Sequence, residues 1–293
     1  MTASPASSLP SRRRPWKLIL VAALLVLLVV VALLALRGLR AASAARSALA
    51  ELRALQALDM NALTTLDPAA LADMQGRFAR LEADFALISR EAGPFLPLAR
   101  PLGRLAGYPA EGAAAPALLQ LAQSAATAGR ASMDGALPLA VALKDPAGEG
   151  SALARLAPAL QQTRPSWQEA EAALASMAAA RSQLDLAQLD PRIAGQLQQL
   201  DRYLPLMQTG SALARLAPEL LGVEGARTYL LLAQNSDELR PTGGFISGAG
   251  LMQIDQGQLG ELDFADSYTV FNPDIDHPLA PPDLEQTMGA QML

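Results

Sequence analysis

The sequence predicts an α+β protein: an N-terminal transmembrane helix, an extended helical stalk and bundle, and then the start of a mainly antiparallel sheet domain. Three observations lead there. Leu18 to Leu36 is a run of nineteen apolar residues without a charge or a proline. The stretch 37–221 is dominated by Ala and Leu, residues that lose little rotamer freedom in a helix, and aromatic residues make up only 4% of the chain. After Gly222 the pattern turns to short apolar runs bounded by Asn, Asp, Gly and Pro, which is the pattern of strands and turns.

As a helix the apolar run is about 28 Å long, close to the thickness of a bilayer's hydrocarbon core. It is read as the membrane span, with the lipid bilayer as its partner. Arg12, Arg13, Arg14 and Lys17 precede it and favour a cytoplasmic N-terminus, although Arg37, Arg40 and Arg46 on the other flank weaken the asymmetry. The expected layout is a basic cytoplasmic tail over 1–17, a span over 18–36, a helical extracytoplasmic region over 37–221, and a sheet-containing part over 222–293. A cleaved signal peptide is the rival, since Ala42-Ser43-Ala44 and Ala48-Leu49-Ala50 have small residues at peptidase spacing. The length of the run and the two arginines before either candidate site favour the anchor.

Composition excludes several functions. There is no cysteine, so disulfides, thiolate metal sites and cysteine nucleophiles are ruled out. Removing the four basic residues before the span from the 23 leaves 19 against 28 acidic ones. An acidic domain without Lys/Arg clusters does not hold nucleic acid phosphates, so no nucleic acid partner is expected. His277 is the single histidine, which excludes multi-histidine zinc sites; no cofactor and no metal is predicted.

In the helical region, Leu39, Leu49, Leu52, Leu55 and Leu58 continue the span outward as a stalk with one apolar stripe. Asp67-Pro68 starts a second helix, with Asp as N-cap and Pro at the first helical position. Leu71, Met74, Phe78, Leu81, Phe85 and Ile88 then recur at helical spacing until Gly93-Pro94. This pair should pack antiparallel, although the same stripe would also serve an intermolecular coiled coil. Prolines 94, 97, 101, 109 and 116, with glycines 103, 107 and 112, predict a crossing loop. Further helices are expected over 118–143, 166–186 and 190–207. Residues 150–160 recur with one difference at 210–220, and each copy is expected to form a short helix ending near its proline.

Arg227 to Gln234 reads as a buried strand, Phe245 to Ile254 as a second, and Leu259 to Phe264 as a third that returns through the hairpin turn Asp255-Gln256-Gly257. On the second strand Ile246, Gly248, Gly250, Met252 and Ile254 share a face, and the glycines leave room there for a helix or a ligand. Asn272 to His277, with Asp274 and Asp276, has alternating acids but lacks the glycine turn and closing Glu of a calcium loop.

The segment from Glu219 to Ile246 contains Gln234-Asn235, Glu238-Leu239-Arg240 and Pro241-Thr242-Gly243-Gly244-Phe245. In these motifs it closely resembles the bacterial domain-of-unknown-function 4012 family over roughly residues 216–293. The resemblance implies a membrane-anchored protein whose sheet domain continues beyond Leu293, so the chain is expected to be a C-terminally truncated member. The family supplies no established activity.

The loop between the first two strands is therefore the candidate site. Arg240 beside the amides of Gly243 and Gly244, with Thr242 and Asn235, could hold a phosphate or carboxylate, because a guanidinium offers a bidentate fork and free amides add donors. Glu238, Asp263 and Asp266 are the possible acidic partners. The bland alternative is that Arg240 pairs with Glu238 or Asp237 and the glycines only make the turn. Two functions follow. The leading one is an extracytoplasmic cell-envelope binding or scaffold protein at the cell membrane, meeting an envelope polymer, a lipid-linked phosphate or another envelope protein. The alternative is an envelope phosphotransferase or polyprenyl-phosphate-binding enzyme, similar in layout to the LytR-CpsA-Psr family, whose Arg-x-Asp is replaced here by Arg240-Pro241-Thr242. An enzyme needs Arg240, Asp263 and Asp266 to converge.

Overall fold

A computed structural model describes residues 16–57, 65–145, 150–238 and 243–270, with isolated positions beyond. Its helices are α1 (Trp16–Gln56), α2 (Pro68–Ala92), α3 (Leu96–Ala106), α4 (Pro109–Lys144), α5 (Ala152–Ser182), α6 (Pro191–Leu220) and the short α7 (Ser267–Val270). The strands are β1 (Arg227–Asn235), β2 (Phe245–Asp255) and β3 (Gln258–Asp266). The fold is thus α+β, mostly helical with a three-stranded antiparallel sheet. The chain divides into a helical unit, Met1–Lys144 with Thr163–Arg215, and a sheet unit, Asp145–Gln162 with Leu216–Leu293.

The helical unit begins with α1, 41 residues long, whose backbone includes the apolar run. Most side chains of that run, those of 18–27 and 29–31, lie outside the described residues. Among the described residues no helix is long and apolar enough to cross a membrane. Beyond Leu36, α1 packs antiparallel on α2. The face it turns inward is not the leucine row the spacing suggested. Ala44 and Ala48 are each 3% exposed, whereas Leu39, Leu49 and Leu52 are exposed. Small residues at 44 and 48 let the two backbones approach, and Ala48 packs with Leu81 and Ala126, flanked by Leu55, Phe78 and Phe85. Charges complete the seam: Glu51 accepts from Arg80 Nε at 2.6 Å and Arg77 Nη1 at 3.3 Å, and Glu91 lies between Arg37 and Arg40.

The start of α2 follows its sequence signal. Asp67 is extended, its carboxylate accepts from the Ala69 amide at 3.2 Å, and Pro68 follows. Leu71 and Leu81 are 2% exposed, so the stripe that could have served an intermolecular seam is buried within its own chain. The crossing loop expected over 94–116 is instead helical. Pro94, Pro97 and Pro109 fall in first turns, where no intrahelical N–H is lost. Gly107 ends α3 in the left-handed region at φ +85°. Gly103 and Gly112 then bring α3 and α4 into backbone contact, since a Cβ on Gly103 would stand 2.9 Å from Gly112 Cα.

Alanines and leucines of α4, α5 and α6 form the rest of this core, with Ala128, Leu174, Met177 and Leu204 at its centre. The first copy of the repeated segment does not end at its proline: α5 runs through Pro158 and Pro165. The second copy ends at Leu220 as the close of α6. One sequence thus begins a helix in one place and ends one in the other.

In the sheet unit the strand order is β1-β2-β3, with both pairs antiparallel. Gln256 and Gly257 turn the β2–β3 hairpin with positive φ at both, the geometry that matches strand twist. That turn is fastened to the end of α6: the Gly257 amide donates to Leu221 O at 2.8 Å, and Gln256 Nε2 donates to Val223 O at 2.7 Å. Tyr229 of β1 donates its hydroxyl to Leu220 O at 2.6 Å. The open face anticipated at Gly248 and Gly250 is filled, because Phe264 of β3 lies across both. A Cβ at either glycine would meet its ring at 2.6–2.7 Å.

Candidate functional site

The β1–β2 loop is organised by residues on either side of its apex. Asn235 ends β1, and its side-chain oxygen accepts from the Asp237 amide at 3.1 Å, turning the chain away from the sheet. The Phe245 amide donates to Glu238 O at 3.0 Å, closing the loop where β2 begins. Gln234 donates to Gly244 O at 3.5 Å, a long contact across the loop base. Gly243 has φ +107°, which a residue with a Cβ rarely adopts. Gly244 is required for a second reason, since a Cβ there would come within 2.5 Å of Asn235 O. The register shifts by one between Ala233 and Gln234, leaving Ser247 as the extra residue of a bulge, a device that re-aims the strand entering a loop.

This geometry explains most of the motif. Gln-Asn and Gly-Gly are the two sides of one closure. Arg240 and Thr242 lie outside the described residues, as do Leu239 and Pro241. Asn235 and Glu238 are exposed at the loop.

The acidic residues on β3 do not come together. Asp263 pairs with Leu251, and Asp266 with Gly248. Three residues apart on a regular strand, they project from opposite faces. Asp266 also has a local task, its carboxylate accepting from the Tyr268 amide at 2.8 Å to start α7. Asp274 donates its amide to the Asn272 side chain at 2.9 Å, while Asp276 and His277 lie outside the described residues. Among the described residues no group of three or more His, Asp or Glu side chains is placed to hold a metal ion.

Two features escaped the sequence reading. Gly222, which the sequence marks only as the point where the pattern changes, has φ +69° and sits against the backbone of Ile254, so the end of α6 and the β2–β3 hairpin meet backbone to backbone. In the helical unit, Gln120, Gln123, Ser124, Thr127, Glu169 and Ser176, with Ala172 and Ala173, line an open groove of about 330 Å³ between α4 and α5. Its floor is the Ser124–Ser176 hydrogen bond of 2.9 Å. Both glycine contacts and helix–helix hydroxyl pairs join residues distant in sequence, so no local pattern announces them.

The chain's last 70 residues, with this loop in their midst, match one family model, that of a protein of unknown function designated DUF4012, over residues 224–293. Over those residues the chain is similar to DUF4012. No protein of curated function and no solved structure matches the chain. The DUF4012 segment therefore contains β1, β2, β3 and the loop, while α1 to α6 lie before it.

Proposed function

We propose that this chain is a single-pass, membrane-anchored protein of the cell envelope, with its N-terminus in the cytoplasm and its helical and DUF4012 portions outside, acting by binding a ligand or partner. The observation that carries this reading is the nineteen-residue apolar run inside the 41-residue helix α1. A helix buried in a soluble core is covered by neighbours, but the leucines described at the end of this run, Leu33, Leu34 and Leu36, are 43–55% exposed. Lipid is the environment that makes such a surface favourable. Among the described residues, the ion pairs that join α1 to α2 begin at Arg37.

Binding is favoured over phosphoryl transfer by the arrangement of β3. A catalytic centre using both Asp263 and Asp266 needs them on one face, and the strand sends them to opposite faces. An anion-binding role for the loop rests on Arg240 and the amides of Gly243 and Gly244. Two experiments test the reading. Alkaline carbonate extraction of membranes should leave the full chain in the pellet, and release into the supernatant would overturn the anchor. Arg240→Ala should weaken binding of polyprenyl phosphate in detergent at least tenfold, equivalent to about 1.4 kcal/mol. Equal binding by both proteins, or none by the wild type, would remove the anion site.

A further inference from the structure

Helix α3 carries an unclaimed apolar face. Leu98, Leu102 and Leu105 recur at intervals of four and three, and are 52%, 56% and 86% exposed; Tyr108, just past the helix, is 65% exposed. The face turned inward is a different one. Ala99 and Gly103 meet α4 at Gly112, with backbones touching. The leucine row therefore points away from the helix on which α3 rests. A leucine left in water forgoes the free energy of burial, and a row of them marks a surface meant to be covered.

The position of α3 indicates the cover. The α1–α2 seam is antiparallel, with Glu51 of α1 at Arg77 and Arg80, Ala48 at Leu81, and Arg37 and Arg40 at Glu91. The end of α2 is thus held at the first turn after Leu36. A single 3₁₀ turn, Gly93–Phe95, leads directly from there into α3. α3 consequently starts where α1 would leave the hydrocarbon. Arg100 and Arg104 occupy helical positions off the leucine row, and Arg104 is exposed. An apolar stripe with flanking arginines and a tyrosine is the composition of a helix lying in a lipid interface.

We infer that α3 is a second membrane attachment, lying in the plane of the outer surface with Leu98, Leu102 and Leu105 in the acyl boundary and Arg104 among lipid headgroups. It holds the helical unit against the bilayer, where the span alone would leave it free to swing. This inference rests on the reading of Leu18 to Leu36 as a span, and the test separates the two.

The chain has no cysteine, so Leu102→Cys and, as control, Ala69→Cys at the far end of α2 each give a single labelling site. Each variant is labelled with an environment-sensitive fluorophore and reconstituted as full chain into phosphatidylcholine vesicles with or without brominated acyl chains. The label at 102 should emit further to the blue and lose most of its intensity to the brominated lipid, and the label at 69 should do neither. Equal, water-like emission from both positions in a chain that resists carbonate extraction would overturn the in-plane attachment and leave the span standing. Quenching at 102 in a chain that carbonate removes would keep the attachment and overturn the span. Water-like emission in a chain that carbonate removes would overturn both.

Discussion

Gly244 and Asn235 face each other so closely across the base of the β1–β2 loop that a Cβ at 244 would stand 2.5 Å from the Asn235 carbonyl oxygen. The obstacle is backbone paired within the sheet, so it cannot swing aside as a side chain would. Gly244→Ala should therefore open the loop closure and cost roughly 1–3 kcal/mol, as overpacking does. Thermal unfolding of the detergent-solubilised chain reads the loss. Gly195→Ala is the opposite case: it lies inside α6 with nothing within 4 Å of the new Cβ, and should gain up to about 1 kcal/mol from helix propensity.

The loop shows what the sequence makes legible. The strands were readable to within a residue or two because Arg227–Asn235, Phe245–Asp255 and Gln258–Asp266 are bounded by local turn signals such as Gln256-Gly257. The start of α2 was readable from Asp67-Pro68 for the same reason. What could not be read depends on distant partners. Pro94, Pro97 and Pro109 look like breakers until it is known that each falls in a first turn, and Gly103 and Gly112 matter only because they touch. The face at Gly248 and Gly250 looked open because Phe264, which fills it, comes from another strand. Asp263 and Asp266 were grouped by nearness in sequence, whereas the period of the strand separates them.

Arg130 of α4 gathers three carboxylates, Glu82 of α2, Asp134 of its own helix at 2.6 Å, and Glu169 of α5. Its guanidinium is held above its usual pKa, chiefly by the hydrogen bond to Glu82. Replacing it with a neutral side chain of similar length leaves three acids facing one another. Arg130→Met should lose roughly 2 kcal/mol at neutral pH, somewhat less than a fully buried pair would. Because the loss is repulsion among carboxylates, it should shrink with added salt and on mild acidification. Denaturant titrations across salt and pH check this, and a loss independent of both would mean that the arginine acts through packing alone.

Glu51 gives a signed pH dependence. The hydrogen bond from Arg80, with the charges of Arg80 and Arg77, holds its carboxyl below the ordinary value of 4.5. A depressed folded pKa contributes stability that is fully present above the unfolded value and lost as pH falls through the folded one. Glu51→Gln should thus be less stable than wild type by about 1 kcal/mol at neutral pH, the range of a well-formed surface pair. The difference should begin to close below 4.5 and vanish in stronger acid. Parallel thermal unfolding of the two proteins from neutral to acid pH measures it. A gap that persists in strong acid would show that this ion pair is not the α1–α2 seam's acid-labile contact.

The orientation of the chain about Leu18 to Leu36 is read by single-cysteine labelling of intact cells with a membrane-impermeant maleimide. Ala69 is exposed at the start of α2, and Ser8 precedes the basic cluster. With the N-terminus inside, Ala69→Cys should be labelled in intact cells and Ser8→Cys only after lysis. Labelling of Ser8→Cys in intact cells, or protection of Ala69→Cys until lysis, would contradict this orientation.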